Sequence, residues 1–128
     1  MKIGIITVTF NSSSVLDDFF NSIEQQDYSD FYLYIIDNNS VDDTLSKVKS
    51  CAFKSKVILK NTNNLGVAAA NNQGIKLALK DGCDFVLLLN NDTVFEDKLL
   101  SKLVETYNNF GSSIVVPKMN YYSPSNII

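Results

Sequence analysis

Apolar residues fall along this chain in two alternating patterns: short unbroken runs, and longer stretches in which they recur three or four positions apart. The runs lie at Ile3-Gly4-Ile5-Ile6-Thr7-Val8, Phe31 to Ile36, Lys56 to Lys60 and Phe85 to Leu89. They are rich in β-branched and aromatic residues, which favours strands. Phe85 to Leu89 has no polar alternation at all, so it reads as a strand buried on both faces of a parallel sheet, ending abruptly in Asn90-Asn91-Asp92.

Between the runs lie helical patterns. Val15, Leu16, Phe19, Phe20 and Ile23 share one helical face, with Ser13 or Ser14 as the N-cap and Asp17 and Asp18 in the first turn, where the helix dipole favours negative charge. Ser40 and Asp43 form a capping-box-like start to a helix over about 41–51. A third helix passes through Ala68 to Ala70, Ile75 and Leu79 and stops at Asp81-Gly82. A fourth spans about 96–108, with Leu99, Leu100, Leu103 and Val104 inward, and a fifth strand follows at Ile114 to Val116 before Pro117. Strict strand–helix alternation predicts right-handed crossovers and an α/β class fold, three-layer α/β/α with a mostly parallel central sheet.

This architecture fixes where chemistry is to be sought, because ligands of open α/β sheets bind beyond the carboxyl ends of the strands. Those ends are polar here: Thr9-Phe10-Asn11-Ser12, Asp37-Asn38-Asn39-Ser40 and Asn90-Asn91-Asp92, with the turn-rich Asn61-Thr62-Asn63-Asn64-Leu65-Gly66 between the third strand and its helix. With strand order 3-2-1-4, the first and fourth tips flank the crevice and the second lies beside them.

Composition narrows the possibilities. The 128 residues fit one domain with an ordinary 45% of hydrophobic residues, and the net charge of -3 provides no electrostatic footprint for nucleic acid. Histidine is absent, which removes Ser-His and Cys-His nucleophile systems and imidazole metal sites from the chain. Cys51 and Cys83 lack metal-ligand spacing and read as core thiols of a reduced, cytoplasmic protein. No apolar stretch approaches the twenty residues of a membrane span and the start lacks signal-peptide character, which leaves peripheral association with the inner face of a membrane open. A nucleotidyltransferase would carry a Gly-rich, Lys- and Arg-bearing loop after its first strand. A dinucleotide enzyme would show G-x-G-x-x-G. A receiver-like module would need an acidic cluster and a phosphoacceptor Asp, and only Lys118 fits it loosely.

Four segments, in order, carry a likeness: Val8-Thr9-Phe10-Asn11-Ser12; Ile36-Asp37-Asn38-Asn39-Ser40 with Asp42-Asp43-Thr44; Asn64-Leu65-Gly66-Val67 through Asn71-Asn72-Gln73-Gly74; and Leu88-Leu89-Asn90-Asn91-Asp92. Each alone is weak, but the ordered set resembles the inverting family 2 glycosyltransferases, in the nucleotide-sugar-binding half of their GT-A fold. Leu-Leu-Asn-Asn-Asp-Thr is most similar to a rhamnosyltransferase-like branch that builds bacterial surface polysaccharides.

The resemblance implies that a sugar passes from a UDP- or dTDP-sugar to an acceptor hydroxyl, on a carbohydrate or lipid-linked carbohydrate, with inversion. It implies that Thr9 and Phe10 floor the base and ribose, with Asn11 beside them, and that Asp37 accepts a hydrogen bond from the pyrimidine imide, helped by Asn38. Asn64 and Gly66 would bring a loop backbone close to the nucleotide, and Asn71 and Asn72 would orient the donor or brace that loop. The family's metal motif of two acids is here Asn90-Asn91-Asp92, which makes Asp92 the principal ligand for Mn²⁺ or Mg²⁺ and puts Asn90 nearer the ribose or sugar. The general base belongs to a second, acceptor-binding half expected to be missing after about residue 117, so no catalytic residue is assigned. The isolated chain is expected to bind donor weakly and to turn over slowly or not at all.

Plainer roles compete at each position. Asp92 alone reads as a cap for the helix near Glu96, Asp37 to Ser40 as a strand-to-helix turn, and Phe10 as core. Tyr121 and Tyr122 are too few and too terminal to argue for acceptor stacking. The rival function is a non-catalytic nucleotide-binding α/β module.

Overall fold

A computed structural model describes residues 1–121. Its strands are β1 (Ile3–Thr9), β2 (Phe31–Asp37), β3 (Lys56–Lys60) and β4 (Phe85–Leu88), and its helices α1 (Leu16–Glu24), α2 (Thr44–Ser50), α3 (Val67–Lys80) and α4 (Leu99–Phe110). All pairings are parallel and the order is β3-β2-β1-β4, as expected for right-handed crossovers.

Strand alternation divides the core in two. Ile3, Ile5, Leu33 and Ile35 point to one face and pack with Leu16, Phe19 and Ile23 of α1, Val48 of α2 and Leu100 of α4. Ile6, Tyr34 and Ile36 point to the other, against Ala70 and Ala78 of α3. Each fully buried large side chain contributes about 1.5–3 kcal/mol relative to exposure. The second face is thin because α3 lies so close to β1: a Cβ on Gly4 would stand 2.6 Å from the Ala78 Cβ, and one on Gly74 would stand 2.5 Å from an Ile6 methyl.

Two expectations about the strands fail. The apolar run at 85–89 is not a strand buried on both faces; β4 is an edge of the described sheet, Phe85 to Leu87 are half-buried and Leu88 is 50% exposed. The strands buried on both faces are β1 and β2. No fifth strand forms among the described residues: Ile114 and Val116 are 82% and 69% exposed. Instead, residues 112–115 and α4 enclose an apolar cavity of about 200 Å³ beside β4.

The expected caps also go elsewhere. Helix α1 has no side-chain cap from Ser13 or Ser14, and α2 begins only at Thr44, because Ser40 is drawn to Asp37 rather than to the helix. Asp92 does not cap the fourth helix, which starts at Leu99. Its Leu100 N–H is taken by Gln26 Oε1 at 3.0 Å, from the end of α1.

The close approach of α3 to β1 is testable. Gly4→Ala should cost about 1–3 kcal/mol of stability, because the opposing Ala78 Cβ is fixed to helix backbone and cannot rotate away. Adding Ala78→Gly should recover part of that loss, measured by urea unfolding of both variants.

Candidate functional site

Parallel pairing brings the tips of β1, β2 and β4 to one edge, and an open cleft lies between them. Its lining includes Phe10, Asn38, Asn64, Gly66, Asn71, Asn90, Asn91 and Asp92. Eight of the residues expected from sequence thus come together. Thr9, Asn11, Asp37 and Asn72 do not line it, while Val8, Ser12, Val67, Leu88 and Leu89 were missed. The last five carry no chemical signal of their own; they line the cleft because they neighbour residues that do.

Beneath the cleft lies Asp37, fully buried where β1 and β2 end side by side. Its Oδ1 accepts Thr9 Oγ1 at 2.8 Å and Ser40 Oγ at 2.6 Å, and its Oδ2 accepts the Ser40 N–H at 3.0 Å. Three of roughly four acceptor directions of the carboxylate are therefore filled within the chain. In this conformation Asp37 braces the floor and does not line the cleft. Thr9, also buried, acts through it.

The brace spreads outward. Ser40 Oγ accepts the Asn11 N–H at 2.9 Å, and Asn11 Oδ1 accepts the Val41 N–H at 2.9 Å, so Asn11 ties the first two tips together from outside the cleft. Asn11 and Asn39 both hold positive φ, a conformation asparagine tolerates better than most residues. Thr44 Oγ1 accepts the Ser12 N–H at 2.7 Å, and Asp42 accepts those of Ser13 at 3.2 Å and Thr44 at 3.0 Å. Hydrogen bonding by Thr44, and then by Ser13, pulls the Asp42 carboxyl down to about 2 from its ordinary 3.8.

On the opposite wall, Gly66 sits at φ 80 and ψ 164, a region open essentially to glycine alone. A Cβ there would meet nothing within 4 Å, so backbone conformation rather than space within the chain requires this glycine. Asn64 Oδ1 accepts the Gly66 N–H at 2.9 Å and shapes the turn. Asn71, one turn into α3, is half-buried on the lining, whereas Asn72 points away and is exposed.

At the β4 tip, Asn91 Nδ2 donates to the Val8 carbonyl at 2.6 Å, extending the β1–β4 ladder by a side chain. Thr93 Oγ1 donates to the Asn90 carbonyl at 2.6 Å and closes a turn, which leaves the Asp92 side chain exposed at the cleft. Phe10 is 50% exposed on the same lining, placed as a platform and not as core. No group of three or more Cys, Asp or Glu residues that could cage a metal exists among the described residues.

The sequence matches the model of the family described as glycosyl transferase family 2 over residues 4–127, and the chain belongs to that family. It is 28% identical over 125 residues to the poly(ribitol-phosphate) beta-N-acetylglucosaminyltransferase TarS of Staphylococcus aureus, a match covering 93% of this chain and 21% of that protein. It is 28% identical over 127 residues to the GalNAc(5)-diNAcBac-PP-undecaprenol beta-1,3-glucosyltransferase of Campylobacter jejuni, covering 93% and 40%. The chain thus spans between 21% and 40% of the length of these two relatives. Its fold is that of the solved S. aureus TarS 1-349 in complex with UDP-GlcNAc, at TM-score 0.79 and 22% identity, covering 92% of this chain and 37% of that one. The mannosyltransferase PcManGT of Pyrobaculum calidifontis, solved with GDP-Man and Mn²⁺, matches at TM-score 0.75 and 20% identity over 83% and 32%.

Two outcomes follow for the floor. Asp37→Asn replaces one acceptor with a donor among groups that already donate, and should cost about 1–3 kcal/mol in urea unfolding. Because the folded Asp42 value is depressed, its tether favours the folded tip above about pH 3.8 and is lost as pH falls from there toward 2. An NMR titration should show the Ser13 and Thr44 amides moving across that window, and Asp42→Asn should abolish the movement.

Proposed function

We propose that this member of glycosyl transferase family 2 binds a UDP- or dTDP-sugar in the cleft at the carboxyl edge of its sheet and serves transfer of the sugar, with inversion, to a carbohydrate hydroxyl in cell-surface polysaccharide synthesis, at the cytoplasmic side of the membrane. The observation that carries the reading is the convergence of Phe10, Asn38, Asn64, Gly66 and Asn90 to Asp92 on one cleft, within a chain that matches the family almost end to end. Two relatives named as sugar transferases and a fold shared with a UDP-GlcNAc complex support it. The Leu88-Leu89-Asn90-Asn91-Asp92 form is our reason for favouring the branch that builds surface polysaccharides.

The donor set fits a divalent cation carried in by its substrate. Mg²⁺ and Mn²⁺ commonly bind through one or two carboxylates together with substrate phosphates and water. Asp92 provides one exposed carboxylate, and the Asn91 bond to Val8 uses its amide nitrogen and leaves the oxygen without a partner among the described residues. When bound, such a cation offsets the charge of the departing nucleoside diphosphate. Around it, Phe10 offers an aromatic face to the base or ribose, and the Gly66 loop admits close backbone approach.

Inverting transfer also requires a general base beside the acceptor hydroxyl. Asp92 is the one carboxylate on the described lining, and the chain has no histidine. The cleft as described therefore supplies donor binding without the base, which keeps a non-catalytic nucleotide-binding module as the alternative reading of the 128 residues.

Titrating UDP and dTDP into the chain with and without Mn²⁺ tests the proposal. Binding should strengthen with the metal, and Asp92→Ala should abolish that gain while melting remains unchanged. No binding at millimolar ligand to a folded sample would sink the reading. Rapid donor turnover by these residues alone would overturn the view that they lack the base.

A further inference from the structure

Three amides run in a chain beneath the cleft. Gln73 on α3 and Asn61 after β3 exchange two bonds: Gln73 Nε2 donates to Asn61 Oδ1 at 2.9 Å, and Asn61 Nδ2 donates to Gln73 Oε1 at 2.8 Å. Asn61 Nδ2 also donates to Asn38 Oδ1 at 2.9 Å, and Asn38 Nδ2 donates to the Gly66 carbonyl at 3.2 Å. The two ends of a carboxamide have nearly the same shape, so three linked amides can run in either sense.

The Gly66 carbonyl breaks that tie. It can only accept, so Asn38 must turn its nitrogen toward it, which leaves the Asn38 oxygen toward Asn61. Asn61 must then present its nitrogen, and Gln73 completes the pair in the remaining sense. Reversing the chain would set the Asn38 oxygen against the Gly66 oxygen. Asn38 is only 2% exposed, so water could not relieve the clash.

Asn38 is thus left with its oxygen turned toward Asn61 and one Nδ2 hydrogen without a partner among the described residues. We propose that Asn61 and Gln73 fix Asn38 as a hydrogen-bond donor to the ligand, so that the cleft selects a nucleobase edge bearing a carbonyl over one bearing an amino group. Uracil or thymine is accepted and cytosine is rejected. The inference rests on the nucleotide-binding reading above and gives the helper role expected of Asn38 a direction, that of a donor. Position supports it: the β2 tip carrying Asn38 and the β4 tip carrying Asp92 are two strand spacings apart, about 10 Å, which places base and diphosphate at opposite ends of the cleft. Asn38 determines specificity, and Asn61 and Gln73 are positioning residues that act through it.

The test is titration of UDP and CDP, which differ only in the base, into the ¹⁵N-labelled chain with excess Mg²⁺, followed by NMR. UDP should bind tighter by about fivefold or more, since one mismatched buried hydrogen bond costs about 1–3 kcal/mol. Asn61→Asp keeps the shape but sets a carboxylate oxygen against the Asn38 oxygen. The charge-assisted bond that a turned Asn38 amide would donate to it is about twice as strong as the neutral bond given up at the Gly66 carbonyl, which should turn the amide round and bring the ratio within about threefold of unity or invert it. Gln73→Met, at a half-buried helix position, frees Asn61 to rotate and should lower the ratio too, including where Asn61→Asp does not fold. Equal affinities in the native chain, or a folded variant that keeps the native preference, overturn the inference and leave nucleotide binding standing. Binding of neither ligand to the folded native chain overturns both.

Discussion

The arrangement at the edge of the sheet depends on one buried carboxylate. A charged group out of contact with water is tolerated only when hydrogen bonds replace its hydration, and Asp37 obtains them from Thr9 on the neighbouring strand and from Ser40 in its own loop. Satisfying Asp37 therefore specifies the register of β1 against β2, the path of the 38–43 loop and, through Ser40 and Asn11, the first tip. The late start of α2 has the same origin, because Ser40 cannot serve both Asp37 and a helix end. A residue that the family resemblance would assign to the ligand is thus first a structural requirement of the tips that surround the cleft.

The fold was legible because its signals are local. Runs of β-branched and aromatic residues marked β1 to β4 to within a residue or two, helical periodicity marked the helices, and the alternation of the two dictated a parallel sheet. What misled was burial. The run from Phe85 to Leu89 is as apolar as a central strand, yet β4 lies at an edge, since periodicity reports how many faces could be covered and not what covers them. The opposite edge is plainer, because β3 is bounded by Lys56 and Lys60, as exposed edges usually are. Ile114 to Val116 had the composition of a strand but not the pairing.

The site was legible as a set of strand tips and illegible as a network. Polar residues after each strand were visible, and most do line the cleft. Which of them face the ligand and which hold the others depends on contacts such as Asn38 to Asn61 and Asn61 to Gln73, across 23 and 12 positions. No motif encodes these. Asn61 stood in a turn-rich loop and Gln73 in a segment of the likeness, neither with a role of its own, and their pairing follows only from the packing of α3 against β1 that Gly4 and Gly74 permit.

If the cleft binds a nucleoside diphosphate as proposed, charge gives a reason for amides where the resemblance implies a second acid. A nucleoside diphosphate brings negative charge to a chain already at net -3. At 4 Å, two like unit charges repel by about 1 kcal/mol in water and about 4 kcal/mol near a protein surface. An acid at position 90 would add such a term whenever no cation is present, whereas an asparagine keeps hydrogen-bonding capacity without it. The cost, on the proposed reading, would be a weaker grip on a metal that Asp92 alone among the described lining carboxylates could hold. With Asp37 sealed beneath the floor and Asn38 turned to donate, a cleft edged by Asn64, Asn71, Asn90 and Asn91 would, on the proposed reading, meet an anion with amides rather than acids and leave most of the charge balance to a cation arriving with it.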